Sequence, residues 1–190
     1  MSNNNPIKQE GNLKSGDYAP DFCLPGMDGK VYCLNDFKEK AKALVVAFWC
    51  NHCPHVIKNE NRMIKIGKDY QKKGVGFVLI SANDVINYPQ DGLEKMKKRA
   101  KEKRYPFPYL YNEDQTVAHA YGAKVTPHIF VFDSELKLRY RGAIDDNPDL
   151  ENRETNHYLR DALDTILDEK PEQIIHPETQ PKGCSIKWKI

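Results

Sequence analysis

The sequence predicts an α/β fold, a central mixed β-sheet flanked by helices, and three observations carry that expectation. Two apolar runs rich in β-branched residues, "ALVVAFW" (43–49) and "VGFVLIS" (75–81), have the length of strands buried on both faces. Between them Val56, Ile57, Met63, Ile64 and Ile66 repeat at helical spacing, and Gly74 marks the stop. Later, "HIFVFD" (128–133) and "LKLRYRG" (136–142) read as two strands around a turn at Asp133–Glu135. A strand–helix–strand unit followed by a hairpin makes a sheet of mixed direction.

The remaining elements follow in order. Residues 1–17 are polar and aperiodic, and are expected to be a flexible lead-in. "CLPGMDGKVYCL" sets Asp28-Gly29 between short apolar segments, the signature of a β-hairpin extension. Asn35 is placed to cap a short helix from Asp36. The helix after the first strand is expected from Asn51 to about Lys73. Pro89, Asp91 and Gly92 open another that runs to about Arg104. After "YPFPY" come a short strand near 109–111 and a short helix in "DQTVAHAYG" (114–122). A last helix spans about 149–168, with Leu159, Leu163, Ile166 and Leu167 on one face. The body is therefore expected over 18–168, with a tail over 169–190 that carries Pro171, Pro177 and Pro181. Within the tail, the alternation of Ile186, Trp188 and Ile190 reads as an extended segment folded back on the body.

Composition narrows the function. A chain of 190 residues fits one domain. With 29 basic and 27 acidic residues the net charge is +2, which gives no reason to expect a nucleic-acid or anionic-membrane partner. The basic stretch "EKMKKRAKEKR" (94–104) keeps Leu93, Met96 and Ala100 at helical spacing, so its charges read as a solvated helix face. No apolar run is long enough to span a bilayer, and the first twenty residues lack signal-peptide features, so the expected location is cytoplasmic. A reducing compartment and an odd count of five cysteines argue against a disulfide framework. Cys23 and Cys33, flanking the hairpin, are accordingly expected to be reduced and partly buried. His119 and His128 are expected to serve packing or to lie at the surface.

Chemistry concentrates in "FWCNHCPHV", where Cys50 and Cys53 stand at a strand-to-helix junction. Haem attachment needs histidine directly after the second cysteine, and Pro54 stands there. Structural zinc needs four ligands, and only His52, His55 and the distant Cys184 are on offer. Redox chemistry has a physical basis: unpaired N–H groups at a helix N-terminus stabilise a thiolate. A second sulfur one turn away can then attack a mixed disulfide. Cys50, coming first, is expected to be the exposed, acidic nucleophile, with Cys53 resolving. A second element, Thr126-Pro127, precedes the "HIFVFD" strand, where proline marks a strand start or a cis bond.

"FWCNHCP" with the later "VTPHIFVFD" resembles the thioredoxin superfamily. "APDFCLPGMDGKVYCLNDF" (19–37) is similar to the opening of its redoxin branch, and "YRGAIDD" and "GCSIKW" to a cytosolic, peroxiredoxin-like subfamily. The resemblance implies a thioredoxin-like fold over nearly the whole chain, with Pro127 as a cis-proline packed on the redox cysteines. It also implies that the Thr126 backbone can pair with an extended substrate. Trp49, directly before the pair, belongs to the same motif.

Two activities compete within that resemblance. A peroxiredoxin reading puts Cys53-Pro54 in the peroxidatic place, but Cys50 stands where those enzymes carry a hydroxyl, and Pro127 where they carry an activating arginine. Thiol–disulfide exchange is the favoured reading and a thiol-dependent peroxidase centred on Cys53 the alternative. A third is a non-enzymatic binding module with a structural or metal-bound CxxC. Exchange requires no cofactor. It requires a disulfide-bearing protein or small-thiol substrate, and a reductase or thiol as electron donor. Thioredoxins also bury an aspartate six residues before the first cysteine, where Leu44 stands here. In "SANDV", Asp84, or a water held by Asn83, is the candidate proton acceptor, unless the two residues simply cap a loop. His52 is expected to stabilise the reduced pair, setting a potential between about −270 and −120 mV. Cys184 is a candidate third redox thiol.

Overall fold

The structure, a computed structural model, describes residues 11–147 and 153–190. Of the flexible lead-in expected over 1–17, residues 1–10 lie outside the described residues. Residues 11–17 are held to the body, with Leu13 buried and the Gly11 and Gly16 N–H groups donating to His119 O and Leu138 O at 2.7 and 2.8 Å. Of the last helix expected from 149, 149–152 lie outside the described residues, and the helix begins only at Tyr158. Five strands form the central sheet: β3 (Ala43–Phe48), β4 (Val75–Ser81), β5 (Tyr109–Tyr111), β7 (His128–Asp133) and β8 (Leu138–Gly142). Their order is β5-β4-β3-β7-β8. β3 runs parallel to β4 and β4 to β5, while β7 is antiparallel to both β3 and β8. The expected mixed sheet is thus present, with β3 at its centre.

All six residues of β3 are buried, because both faces of the sheet are covered. Ala43, Val45 and Ala47 point to one core with Val56, Met63, Leu159 and Leu163, from α2 (Pro54–Gln71) and α5 (Tyr158–Leu167). Leu44, Val46 and Phe48 point to a second core with Val117, Ala118 and Tyr121 of α4 (Thr116–Tyr121). The period-2 alternation of a strand thus divides one apolar run between two cores. The position that in thioredoxins carries a buried aspartate, Leu44, serves here as plain packing.

The hairpin pairs β1 (Cys23–Pro25) with β2 (Val31–Cys33), and its register sets Cys23 directly opposite Cys33. The two form a disulfide. This corrects the expectation of reduced, partly buried thiols: Cys23 is exposed and Cys33 half-buried. Cross-strand register, which is not visible as sequence spacing, brought the sulfurs together. The short helix α1 (Asn35–Lys38) is also capped differently from the expectation. Asn35 lies inside it, and Asp36 reaches back to accept the Cys33 N–H at 2.8 Å.

The other boundary changes fall around the site. α2 starts at Pro54, since proline suits the first helical position and has no N–H to lose. The segment opened by Pro89 divides into a 3₁₀ turn (Pro89–Asp91) and α3 (Leu93–Glu102). The tail turns once at Pro171–Gln173 and ends with β9 (Cys184–Ser185), antiparallel to β6 (Val125–Thr126). Ile186 is buried and Trp188 stacks on His119 with ring centroids 4.1 Å apart. Ile190 is fully exposed, so the alternating apolar pattern packs only as far as Trp188.

Candidate active site

The carboxyl end of β3 runs into Trp49 and Cys50, and α2 begins four residues after Cys50. Cys53 is therefore the N-cap of α2, in extended backbone (φ −65°, ψ 125°). Both sulfurs meet the turn that carries the Thr126–Pro127 bond, which is cis. Cys50 Sγ lies 3.3 Å from Thr126 Oγ1, and Cys53, in its thiol form, donates to the Thr126 carbonyl oxygen at 3.2 Å. The tail adds a third sulfur: Cys184 Sγ is 2.7 Å from Cys53 Sγ. Cys50, Cys53, Thr126 and Cys184 are thus neighbours, although 134 positions separate the first from the last in sequence.

The expectation that Cys50 is the exposed, acidic sulfur does not hold. Both Cys50 and Cys53 have 0% of their surface exposed. The helix N-terminus serves Cys53, because Pro54 delays the first helical turn to the second cysteine. The Cys53 thiol is lowered well below its ordinary value, first by a hydrogen bond from Cys50, then by one from Cys184 and by the Val56 N–H, against the opposing cost of burial. Cys50 is raised, by its hydrogen bond to Cys53, by burial and by the charge of Asp91. Cys184 is raised as well, by burial and then by the Cys53 hydrogen bond and charge. Of the three sulfurs, Cys53 is thus the one most readily ionised.

Asp91 is the residue that sequence reasoning missed. Its carboxylate is wholly buried, accepting the Asn51 N–H at 2.7 Å and the Asn83 amide at 2.8 Å. His52 Nδ1 lies 2.5 Å from its second oxygen, and the His52 ring stacks on Tyr88 at 5.8 Å. Asn83 therefore reaches the site, by holding Asp91. Asp84 does not reach it: its carboxylate accepts from the Ile86 N–H at 3.0 Å and the Asn87 amide at 2.5 Å, closing a loop. In sequence Asp91 reads only as a helix opener, and nothing local ties it to a loop forty residues earlier.

Trp49, 1% exposed, donates its indole N–H to the Tyr105 hydroxyl at 3.3 Å. Tyr105 in turn donates to Glu60 Oε1 at 2.6 Å, and Arg99 and Lys103 complete the shell of that buried carboxylate. The loop carrying the cysteines is thereby braced from α2 and α3. His128, the residue after the cis-proline, is buried and pushed down to about 4, by burial first and then by Arg141 and Lys124. It stays neutral at pH 7 and contributes packing.

A metal-bound CxxC finds little support in the donor set. Among the described residues, the one group of three donors close enough to share an ion is Cys50, His52 and Asp91, within 4.8 Å of one another. Cys53 is not among them, and the Asp91 oxygens already accept from Asn51, Asn83 and His52. A closed zinc site needs four ligands.

Comparison with known proteins places this geometry. The chain is 28% identical over 125 residues to the thiol-disulfide oxidoreductase ResA of Geobacillus thermodenitrificans, which covers 65% of this chain and 66% of that protein. Among solved structures, an uncharacterized conserved protein from Geobacillus kaustophilus superposes with a TM-score of 0.85 at 43% identity, over 94% of both chains. The thioredoxin domain of a thiol-disulfide oxidoreductase from Bacteroides vulgatus matches at TM-score 0.56 and 25% identity, over 67% of this chain and 86% of that one. The fold is thioredoxin-like, and the model of the AhpC/TSA family matches residues 15–141, so this chain belongs to the AhpC/TSA family.

Proposed function

We propose that the protein is a thiol–disulfide oxidoreductase that cycles Cys50 and Cys53 between dithiol and disulfide. The observation that carries this reading is the pair itself: two sulfurs at a helix N-terminus, both held by Thr126, with the Cys53 thiol lowered by its neighbours. A thiolate beside a protonated thiol is the reactant state for exchange, since one attacks and the other resolves. The relatives named thiol-disulfide oxidoreductase support the same activity. The substrates are disulfide-bearing proteins or small disulfides, and the electron donor is a reductase or a small thiol. The test is reduction of insulin by dithiothreitol with catalytic protein. Acceleration that disappears in both Cys50→Ser and Cys53→Ser supports the proposal, and a rate no faster than without protein removes it.

One observation favours a second reading, a thiol-dependent peroxidase centred on Cys53. The lowered thiol is Cys53, at the N-cap of α2, with Cys184 beside it to resolve a sulfenic acid. Against it stands Pro127, where the resemblance to peroxiredoxins calls for arginine. Peroxide consumption that survives Cys50→Ser, together with no insulin reduction by the wild type, would select the peroxidase.

A further inference from the structure

The buried pair has no exposed sulfur of its own. Cys50 and Cys53 are fully covered, whereas Cys184, in contact with Cys53, is partly exposed. We propose that Cys184 is the sulfur through which the pair exchanges with external substrates, by forming a Cys53–Cys184 disulfide during turnover. This relay rests on the exchange activity proposed above.

The position of Cys184 is built by several independent contacts. Thr126, which holds both cysteines of the pair, is the register partner of Cys184 in the β6–β9 ladder. Beyond it the Ile186 N–H donates to Lys124 O at 3.0 Å, and the Lys187 N–H to Asn83 Oδ1 at 2.9 Å. Asn83 also holds Asp91, so one side chain ties the tail to the cysteine loop. Gln115 donates to the Lys187 carbonyl at 2.9 Å and accepts the Lys189 N–H at 2.9 Å. Close approach depends on Gly183, where a Cβ would fall 2.3 Å from the Thr126 carbonyl oxygen, the same oxygen that accepts from Cys53.

The chemistry closes without an added oxidant. In the oxidised protein Cys50–Cys53 is a disulfide, and the Cys53 charge that opposes ionisation of Cys184 is gone. The Cys184 thiolate attacks Cys53 Sγ: the Cys53–Cys184 bond forms, the Cys50–Cys53 bond breaks, and Cys50 leaves as a thiolate that takes up a proton. One thiolate of an external dithiol then attacks Cys184 Sγ, and Cys53 leaves as a thiolate. The second thiolate of the substrate attacks the substrate sulfur bound to Cys184, and Cys184 leaves. The external dithiol has become a disulfide: its two electrons have passed to Cys50 and Cys53, one of its protons stands on Cys50, and the other goes to solvent because Cys53 is left as a thiolate. Run backwards, the same steps reduce an external disulfide.

The test uses the full chain and dithiothreitol as the dithiol. Acid-quenched, alkylated samples are mapped by mass spectrometry without reduction. We expect Cys50→Ser to accumulate the Cys53–Cys184 disulfide on mild oxidation. We expect Cys184→Ser to form the Cys50–Cys53 disulfide at equilibrium but to exchange with dithiothreitol roughly tenfold or more slower than wild type. Gly183→Ala, which keeps all three thiols, should slow exchange in the same sense. Absence of the Cys53–Cys184 peptide in oxidised Cys50→Ser, or wild-type exchange rates in both Cys184→Ser and Gly183→Ala, overturns the relay while leaving exchange by the pair intact. If the wild type exchanges no faster than Cys53→Ser, the parent activity fails, and the relay with it.

Discussion

Asp91 buries its carboxylate beneath the cysteine loop and takes the backbone N–H of Asn51 at 2.7 Å. The contact joins the loop after β3 to the loop after β4, the two chain segments that meet at the carboxyl ends of parallel neighbours. It also fixes a negative charge beside Cys50, within 4.8 Å of its sulfur. In an α/β sheet this edge is where a site is expected, because loops from adjacent strands converge there.

Replacing that charge gives the first prediction. Asp91→Asn keeps an acceptor for the Asn51 N–H but removes the anion, so the Cys50 thiol should ionise at lower pH than in the parent. Its hydrogen bond to Cys53 and its burial raise Cys50 more than Asp91 does. The comparison therefore belongs in a Cys53→Ser background, where the largest cause is absent. The pH profile of Cys50 alkylation reads it, and superimposable profiles would show that Asp91 only braces the loop.

The lowered Cys53 thiol makes stability depend on pH. Its folded value lies below the ordinary thiol value of 9.0, so the native state binds fewer protons than the unfolded chain in between. The stabilisation is then fully present above pH 9 and is lost as pH falls through the folded value. Fully reduced wild type should thus lose more stability than Cys53→Ser on going from pH 9 to pH 5. Urea denaturation of both proteins at the two pH values measures the difference. Parallel losses would mean that Cys53 is a thiol, and not a thiolate, in the folded state.

His52 should set the redox poise. Its ring is held between Asp91 and Tyr88, close to Cys50, so positive charge on it favours the thiolate and makes the disulfide more oxidising. His52→Pro removes the ring, and the midpoint in glutathione buffers should fall by on the order of 30 mV or more, about tenfold in the exchange equilibrium. Asp91 opposes the imidazole, so Asp91→Asn should move the midpoint the other way. An unchanged potential in His52→Pro, with a folded protein, would remove the histidine from the account.

Most of the fold was legible because local rules and tertiary structure agree. The apolar runs at 43–49 and 75–81 became β3 and β4, and the Asp28-Gly29 turn gave the hairpin. What stayed hidden depends on contacts between distant segments. Helix periodicity allowed α2 to start anywhere from Asn51, and only the start at Pro54 decides which cysteine caps it. Asp84 is the acid the sequence points to and Asp91 reads only as a helix opener; the turn at Pro89–Asp91 brings Asp91 to the Asn51 N–H, while local N–H groups occupy Asp84. The Cys23–Cys33 pairing follows from strand register, and a compartment argument had masked it.

That bridge supplies the last prediction. Cys23 and Cys33 close a loop of sequence separation 10 on a two-stranded sheet, which is marginal without help from its surroundings. The hairpin has such help from Leu24, which enters the second core beside Phe22 and Leu34, and at its turn, where the Met27 N–H donates to Tyr109 O at 2.9 Å. Loop-closure entropy for a ring of this size is worth about 2 to 3 kcal/mol. Cys23→Ser/Cys33→Ser should therefore lower stability by up to that amount without reductant, with no change in the exchange rate, since neither sulfur touches Cys50, Cys53 or Cys184. In excess dithiothreitol the wild type should fall to the level of the double variant. Equal stability of the two proteins without reductant would show that the bridge does not form in solution, and that the hairpin stands on its packing alone.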